Sequence, residues 1–249
     1  MCTLTWRQGE WGYEVYFNRD ELRSRPAAFA PSLQLTRNTD SLPTAESSVA
    51  FLSPTDPVAG GTWIACNQTG ITLCLLNGYL EAETDAAHSG RRSRGLLVRD
   101  LAGCTSRDLL PQLLAEQLAR FRYSSFLLAV FAPNLSPEGW SWNGHALDPR
   151  QVSPPVVSSS WDQAGAEHYR RQIFNALTEA GDPQQLLAFQ SSHAEQPSAL
   201  TPCMHREDAR TVSLTRVQVS NRKVSMEYAP GPPCQEMLGS PLSLSLQAS

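Results

Sequence analysis

The chain has 249 residues, 41% hydrophobic and 18% charged, long enough for one large domain whose core needs no disulfide or metal. Its 20 Lys+Arg against 24 Asp+Glu leave a formal net charge of −4, and Lys223 is the sole lysine. Neither a basic nucleic-acid-binding surface nor a collagen, coiled-coil or disordered chain fits these numbers.

Cys2 to Trp6 and Tyr13 to Phe17 read as short strands around a turn at Gln8–Gly12. Residues 23–50, rich in Pro, Ser, Thr and Asn, read as a long surface excursion, the kind of segment that often serves as a lid or binding loop. Thr62 to Cys66 and Ile71 to Leu76 form a hairpin around Asn67-Gln68-Thr69-Gly70, and the nearly continuous apolar second strand predicts cover on both faces. Residues 80–95 are charged and small, and read as loop. Leu110, Leu113, Leu114, Leu118 and Phe121 share one face of a helix over 107–122. A buried strand follows at Phe126 to Phe131, with further strands at Trp140–Trp142 and Val156–Ser160 and a turn at Asn143-Gly144.

Asp162 caps a second predicted helix running to about Ala180, with Ala166, Tyr169, Ile173 and Leu177 on its face and Gly181 at its end. Pro183 to Gln190 suggests a short third helix, and Thr211–Ser220 with Lys223–Tyr228 a final hairpin. The order of elements predicts one layered α+β domain over 1–229 with antiparallel sheets and segregated helices. Residues 230–249 read as a weakly ordered tail.

The first twenty residues alternate polar and apolar groups, unlike a signal peptide. The longest apolar run, Phe126–Ala132, is far below the ~20 residues a membrane-spanning helix needs. A cytoplasmic location with reduced thiols is expected. The six cysteines contain no CxxC pair and no CxxCH haem attachment site. His88, His145, His168, His193 and His205 have no metal-binding spacing, and Cys203-Met204-His205 lacks a partner pair, so no metal is expected.

Four features carry chemistry. Met1-Cys2 invites removal of the initiator methionine, since Cys is small. The mature residue would then hold a thiol of pKa about 8.5 and an α-amine of pKa about 7.7–8.0, nucleophile and base on one residue. The plain alternative is a buried, inert cysteine. Asn18-Arg19-Asp20-Glu21 follows an apolar strand. Arg19 suits a thiolate or substrate carboxylate, and Asp20 suits orientation of the α-amine. Asn18, Glu21 and Arg94 are the expected substrate-binding side chains, although such a charged run also suits a solvated turn. Gly60-Gly61 before Thr62-Trp63 permits a tight bend or a close backbone approach. Asn77, before Gly78, supplies an amide donor for an oxyanion or simply forms a turn.

In this order the features resemble the NRDE family, also called the transport and Golgi organisation protein 2 family. The matching residues are Met1-Cys2, Asn18-Arg19-Asp20-Glu21, Arg25-Pro26, Gly60-Gly61-Thr62-Trp63, Gly70, Leu76-Asn77 and Ser93–Val98. The resemblance covers about the first hundred residues, with Thr211 beyond. It implies a four-layer αββα N-terminal-nucleophile hydrolase fold. More distantly it implies likeness to bile-salt and penicillin acylases, with Cys2 as nucleophile, Arg19 beside it, Asp20 holding the amine and Asn77 at the oxyanion. The later Asn and Arg of those enzymes have no assigned counterpart, with Arg210 and Arg216 as candidates for the arginine. The implied activity is cleavage of a small-molecule amide. The alternative is binding of haem or a lipid-like ligand on the same scaffold, because eukaryotic relatives are associated with haem trafficking.

Overall fold

In the computed structural model, which describes residues 1–37, 48–79, 90–178, 183–196 and 198–247, the chain opens with β1 (Cys2–Gly9) and β2 (Gly12–Leu22), an antiparallel pair. Alternation along the strands puts Cys2, Leu4 and Trp6 on one face with Tyr13, Val15 and Phe17. Thr3 and Thr5 turn to the other face and hydrogen-bond to helical side chains. These strands lie in a six-stranded sheet ordered β10 (Val156–Ser158), β1, β2, β11 (Ala209–Ser220), β12 (Lys223–Ala229) and β13 (Leu242–Ser245). The second sheet has seven strands in chain order: β3 (Phe29–Arg37), β4 (Ser48–Thr55), β5 (Ile64–Asn67), β6 (Thr72–Asn77), β7 (Phe126–Ala132), β8 (Leu135–Trp142) and β9 (Leu147–Arg150).

The inner faces of the two sheets meet in a core that includes Leu4, Phe17, Ile64, Leu76, Phe131 and Val217. Outside the second sheet lie α1 (Arg94–Leu101) and α2 (Leu110–Arg120), which bury Leu97, Leu101, Leu110 and Leu114 against Leu73, Leu128 and Val130. Outside the first sheet lie α3 (Gln163–Thr178) and α4 (Pro183–Ser191), where Phe174 and Leu186 pack on Tyr16 and Leu214. Each fully buried Leu among these contributes about 1.5–3 kcal/mol. The architecture is therefore α+β with four layers, αββα. On β6, Cys74 and Leu76 face the opposite sheet while Leu73 and Leu75 face the helices, which is why Leu73–Leu76 is an unbroken apolar run.

The structure corrects several sequence expectations. The excursion at 23–50 contains β3 and the start of β4. β3 is a largely exposed edge strand carrying Pro31, so it lacks buried alternation. Residues 38–47 lie outside the described residues. Of the loop expected at 80–95, residues 80–89 also lie outside them, and α1 begins at Arg94. The helix over 107–122 is a 3-10 turn at Arg107–Leu109 followed by α2. Asp162 does cap α3, its Oδ1 accepting from the Gly165 N–H at 2.8 Å, but Gly181 lies outside the described residues. In place of a weakly ordered tail, residues 230–247 return to the sheet, where β13 pairs with β12. Among the described residues, no helix is long and apolar enough to cross a membrane.

Candidate active site

Register brings the first residues of the site together. Cys2 is the direct cross-strand partner of Arg19. Opposite this point β11 carries a bulge between Thr211 and Ser213, which pair with Asp20 and Arg19 respectively. A cavity of about 150 Å3 opens here, and Cys2, Arg19, Asp20, Glu21, Asn77 and Arg94 all line it. Arg94 also donates to the Ser125 carbonyl at 2.8 Å.

Asn18 belongs elsewhere. Alternation turns it to the helix side of β2, where it is fully buried and its Nδ2 donates to the carbonyls of Gln190 (2.8 Å) and Pro202 (3.0 Å). It ties the sheet to α4 and the following loop instead of facing the cavity.

Arg19 stacks its guanidinium over Trp63, 4.3 Å from the ring centroid, and lies 3.5 Å from Glu21 and 3.6 Å from Asp56. Asp56 is gripped by Arg25 through two hydrogen bonds of 2.7 and 3.2 Å. Burial pushes the Asp56 carboxyl up, but the bonds and charges of Arg25, with Arg19 behind, outweigh that and hold it below the ordinary value. The chain then turns through Gly60 at φ +67°. Gly61 lies so close to α1 that a Cβ there would stand 2.4 Å from the Gly95 carbonyl carbon. The Thr62 N–H donates to the Gly95 carbonyl at 2.9 Å and locks α1 against the cavity wall.

Beneath Cys2 lies a buried ion pair that sequence reading missed. Arg170 and Asp20, both with fully buried side chains, approach to 3.6 Å. Arg170 also donates to Thr3 Oγ1 and to the carbonyls of Leu200 (3.0 Å), Ala199 (3.3 Å) and Cys2 (3.5 Å). Burial lowers its pKa, opposed by Asp20 and Cys2. Asp20 Oδ1 accepts from Thr211 Oγ1 at 2.6 Å, whereas its buried Oδ2 accepts no hydrogen bond among the described residues. The available signal was Arg170 four residues after Ala166, within the buried stripe of α3. The two arginines considered from sequence lie apart from this pair. Arg216 is bound to Glu14 and Glu227, and Arg210, opposite Glu21 on β11, lines a separate cavity of about 270 Å3.

Met1 caps the site in this chain. Its ammonium donates to the Asp20 carbonyl at 3.3 Å and to Tyr79 Oη at 3.0 Å, and its side chain packs on Met204 and Ala209. Burial would lower the ammonium pKa, but Cys2, Tyr79 and Asp20 overcome it and raise the value to about 10. Burial also pushes the Cys2 thiol up, with the Met1 ammonium and Arg19 opposing less strongly. Burial prevails, and the thiol stands above its ordinary value. Asn77 closes β6, and its carboxamide has no hydrogen-bond partner among the described residues. Asn77 also borders a larger groove of about 670 Å3, walled in part by Phe126, Trp142, Val156 and Arg171.

Two antiparallel sheets between helix layers, with the start of β1 at a cavity, define the N-terminal-nucleophile hydrolase fold. Solved structures agree. Penicillin V acylase from Agrobacterium tumefaciens superposes with a TM-score of 0.57 at 12% identity, covering 93% of this chain and 84% of that one. A point variant of the conjugated bile acid hydrolase from Clostridium perfringens gives 0.55 at 9% identity over 98% and 92%. The Caenorhabditis elegans N-acylethanolamine-hydrolyzing acid amidase orthologue gives 0.53 at 12% over 87% and 92%. At these identities the likeness concerns the fold alone. No curated protein sequence matches significantly. The family model described as Transport and Golgi organisation 2 matches residues 1–162, and the chain belongs to that family.

Proposed function

We propose that this protein is an N-terminal-cysteine amidohydrolase that cleaves the C–N bond of a small acylated molecule after Met1 is removed. The observation that carries this reading is the position of Cys2, at the first residue of β1, on a cavity wall and opposite Arg19. Loss of Met1 turns the Cys2 nitrogen into an α-amine, whose ordinary pKa of about 7.7–8.0 suits proton transfer near neutrality. The amine takes the thiol proton, and the thiolate attacks the amide carbon. The carbonyl electron pair moves onto oxygen, where the Asn77 carboxamide donates. The ammonium then protonates the leaving nitrogen as the C–N bond breaks. Water, losing a proton to the amine, attacks the thioester and releases the acid and the thiol. Asp20 Oδ2, buried 3.6 Å from Arg170 and without a hydrogen bond among the described residues, supplies an acceptor for orienting the ammonium. Arg19 balances the thiolate or a substrate anion.

The test is an amide-substrate screen with native and Cys2→Ala protein, alongside an intact mass to show the state of Met1. Turnover confined to the processed native chain supports the reading, and equal turnover by Cys2→Ala overturns it.

The size of the second groove favours a second reading: a haem or lipid-like ligand held without chemistry. Haem titration followed in the Soret band tests it, and no binding in the micromolar range by processed or unprocessed chain removes it.

A further inference from the structure

We propose that Cys203, His205 and Cys234 form a binding site for a zinc-class divalent metal, outside the candidate active site and independent of the amide reading. Their ligand atoms converge from distant parts of the chain. Cys203 and His205 lie between α4 and β11, and Cys234 lies in the link between β12 and β13. The two sulfurs are 3.5 Å apart, and His205 Nε2 lies 3.6 Å from Cys203 Sγ and 3.3 Å from Cys234 Sγ. Tetrahedral zinc with Zn–S of about 2.3 Å and Zn–N of about 2.0–2.1 Å requires S···S near 3.8 Å and S···N near 3.6 Å. Every edge of the triangle lies within about 0.3 Å of those values. A disulfide requires about 2.05 Å between the sulfurs, far less than the 3.5 Å found.

Two sulfurs and an imidazole select zinc-like ions over magnesium or calcium, which prefer oxygen. Binding involves no redox step. Two thiol protons leave to solvent as two metal–sulfur bonds and one metal–nitrogen bond form, giving two thiolates against one dication. The ligand backbones are already held, with Cys203 N–H on Ser192 O at 2.9 Å and His205 O accepting from Ser198 N–H at 2.8 Å. With three protein ligands the fourth position falls to water. In sequence, Cys203-Met204-His205 lacked a partner, and the fold supplies Cys234 from 31 residues further on.

The metal would pin a strap that reaches the site above. Met204, between the two ligands, accepts at its carbonyl from the Thr211 N–H, donates its own N–H to Thr211 Oγ1 and packs on Met1. Thr211 in turn holds Asp20.

The test uses full-length protein in a phosphine reductant, with Cys203 and Cys234 verified as free thiols by alkylation and peptide mass. Co2+ is the probe. The expected result is one Co2+ per chain, with tetrahedral d–d bands and a charge-transfer band of two-thiolate intensity, bleached by one equivalent of Zn2+. Cys234→Ser should halve the charge-transfer band, and His205→Asn should shift the d–d bands. Each should weaken zinc binding by more than the roughly 10–100-fold that losing an outer-shell partner costs. The wild-type spectrum decides the matter even where a variant fails to fold. Absence of that spectrum from free-thiol protein overturns the proposal. So does a spectrum unchanged by both substitutions, or a Cys203–Cys234 disulfide that survives the reductant.

Discussion

Cys2 and Arg19 are cross-strand partners on the inner face of the first sheet, so one register places both thiol and guanidinium at the cavity. Their neighbours Thr3 and Asn18, paired one step along, face the helices instead. A slip of one residue would exchange the two sets. The inner-face residues Leu4, Trp6, Val15 and Phe17, all buried, oppose that slip. Packing between the sheets thus determines where the chemistry sits.

The Cys2 thiol should be sluggish while Met1 remains. Burial raises its pKa, so less thiolate exists near neutrality than for an ordinary cysteine. Alkylation of Cys2 by iodoacetamide in the Met1-bearing chain should reach half its limiting rate only above the ordinary thiol value of about 8.5. Peptide-resolved labelling across pH measures this. A midpoint at or below that value would show that burial does not suppress the nucleophile.

Arg170→Met should destabilise the fold by about 3–5 kcal/mol, because it strands the buried Asp20 carboxylate without its countercharge. Adding Asp20→Asn should restore much of the loss, since removing both charges is less costly than removing one. Urea unfolding of wild type, both single variants and the double variant gives the coupling. Strictly additive losses would mean that the pair does not interact.

How much of this was legible depends on cover. β1, β2, β6 and β7 lie inside the sandwich, and their apolar or alternating runs announce them. β3 sits at an exposed edge, where composition carries no pattern. α1 has eight residues and buries only Leu97, Val98 and Leu101, too few for a helical period to stand out. At the site, the polar run from Asn18 to Glu21 was visible. Strand parity alone separates Asn18 from Arg19, which a reading of the four as one cluster overlooks. Arg170 escaped because a charge inside an apolar stripe reads as a solvent-facing position, and only the folded chain shows Asp20 opposite it.

Asn18→Ala should therefore act on stability and leave substrate affinity intact. It removes the donors to two buried carbonyls, those of Gln190 and Pro202, and each unsatisfied group costs about 1–3 kcal/mol. Denaturation and KM, measured on the same preparation, separate the roles. A raised KM with unchanged stability would return Asn18 to the binding site.

Gly61→Ala should disturb the cavity wall. Its Cβ would meet the Gly95 carbonyl carbon at 2.4 Å and the Leu96 nitrogen at 2.6 Å, backbone atoms that cannot rotate aside. Overpacking of this kind costs about 1–3 kcal/mol, and the strain falls on the junction that carries Arg94. Thermal denaturation should show the loss, while an unchanged midpoint would mean that α1 moves freely.

Glu14 gives the acid limb of stability its sign. Its buried carboxylate lies 2.6 Å from both Arg7 and Arg216. Burial pushes its pKa up, but the hydrogen bonds and charges of the two arginines prevail and hold it below the ordinary value. Between the depressed folded value and the unfolded value of about 4.3, the unfolded chain binds more protons, so stability rises with pH across that window. The contribution is fully present above the unfolded value and disappears as pH falls through the folded one. Asp56, depressed by Arg25, adds to the same limb. Glu14→Gln should lower stability near neutrality and lose much of that penalty in acid, with Asp56 sustaining the remaining slope. Urea midpoints from neutrality down to about pH 3 measure it, and parallel curves for wild type and variant would mean that the arginines do not hold the Glu14 charge.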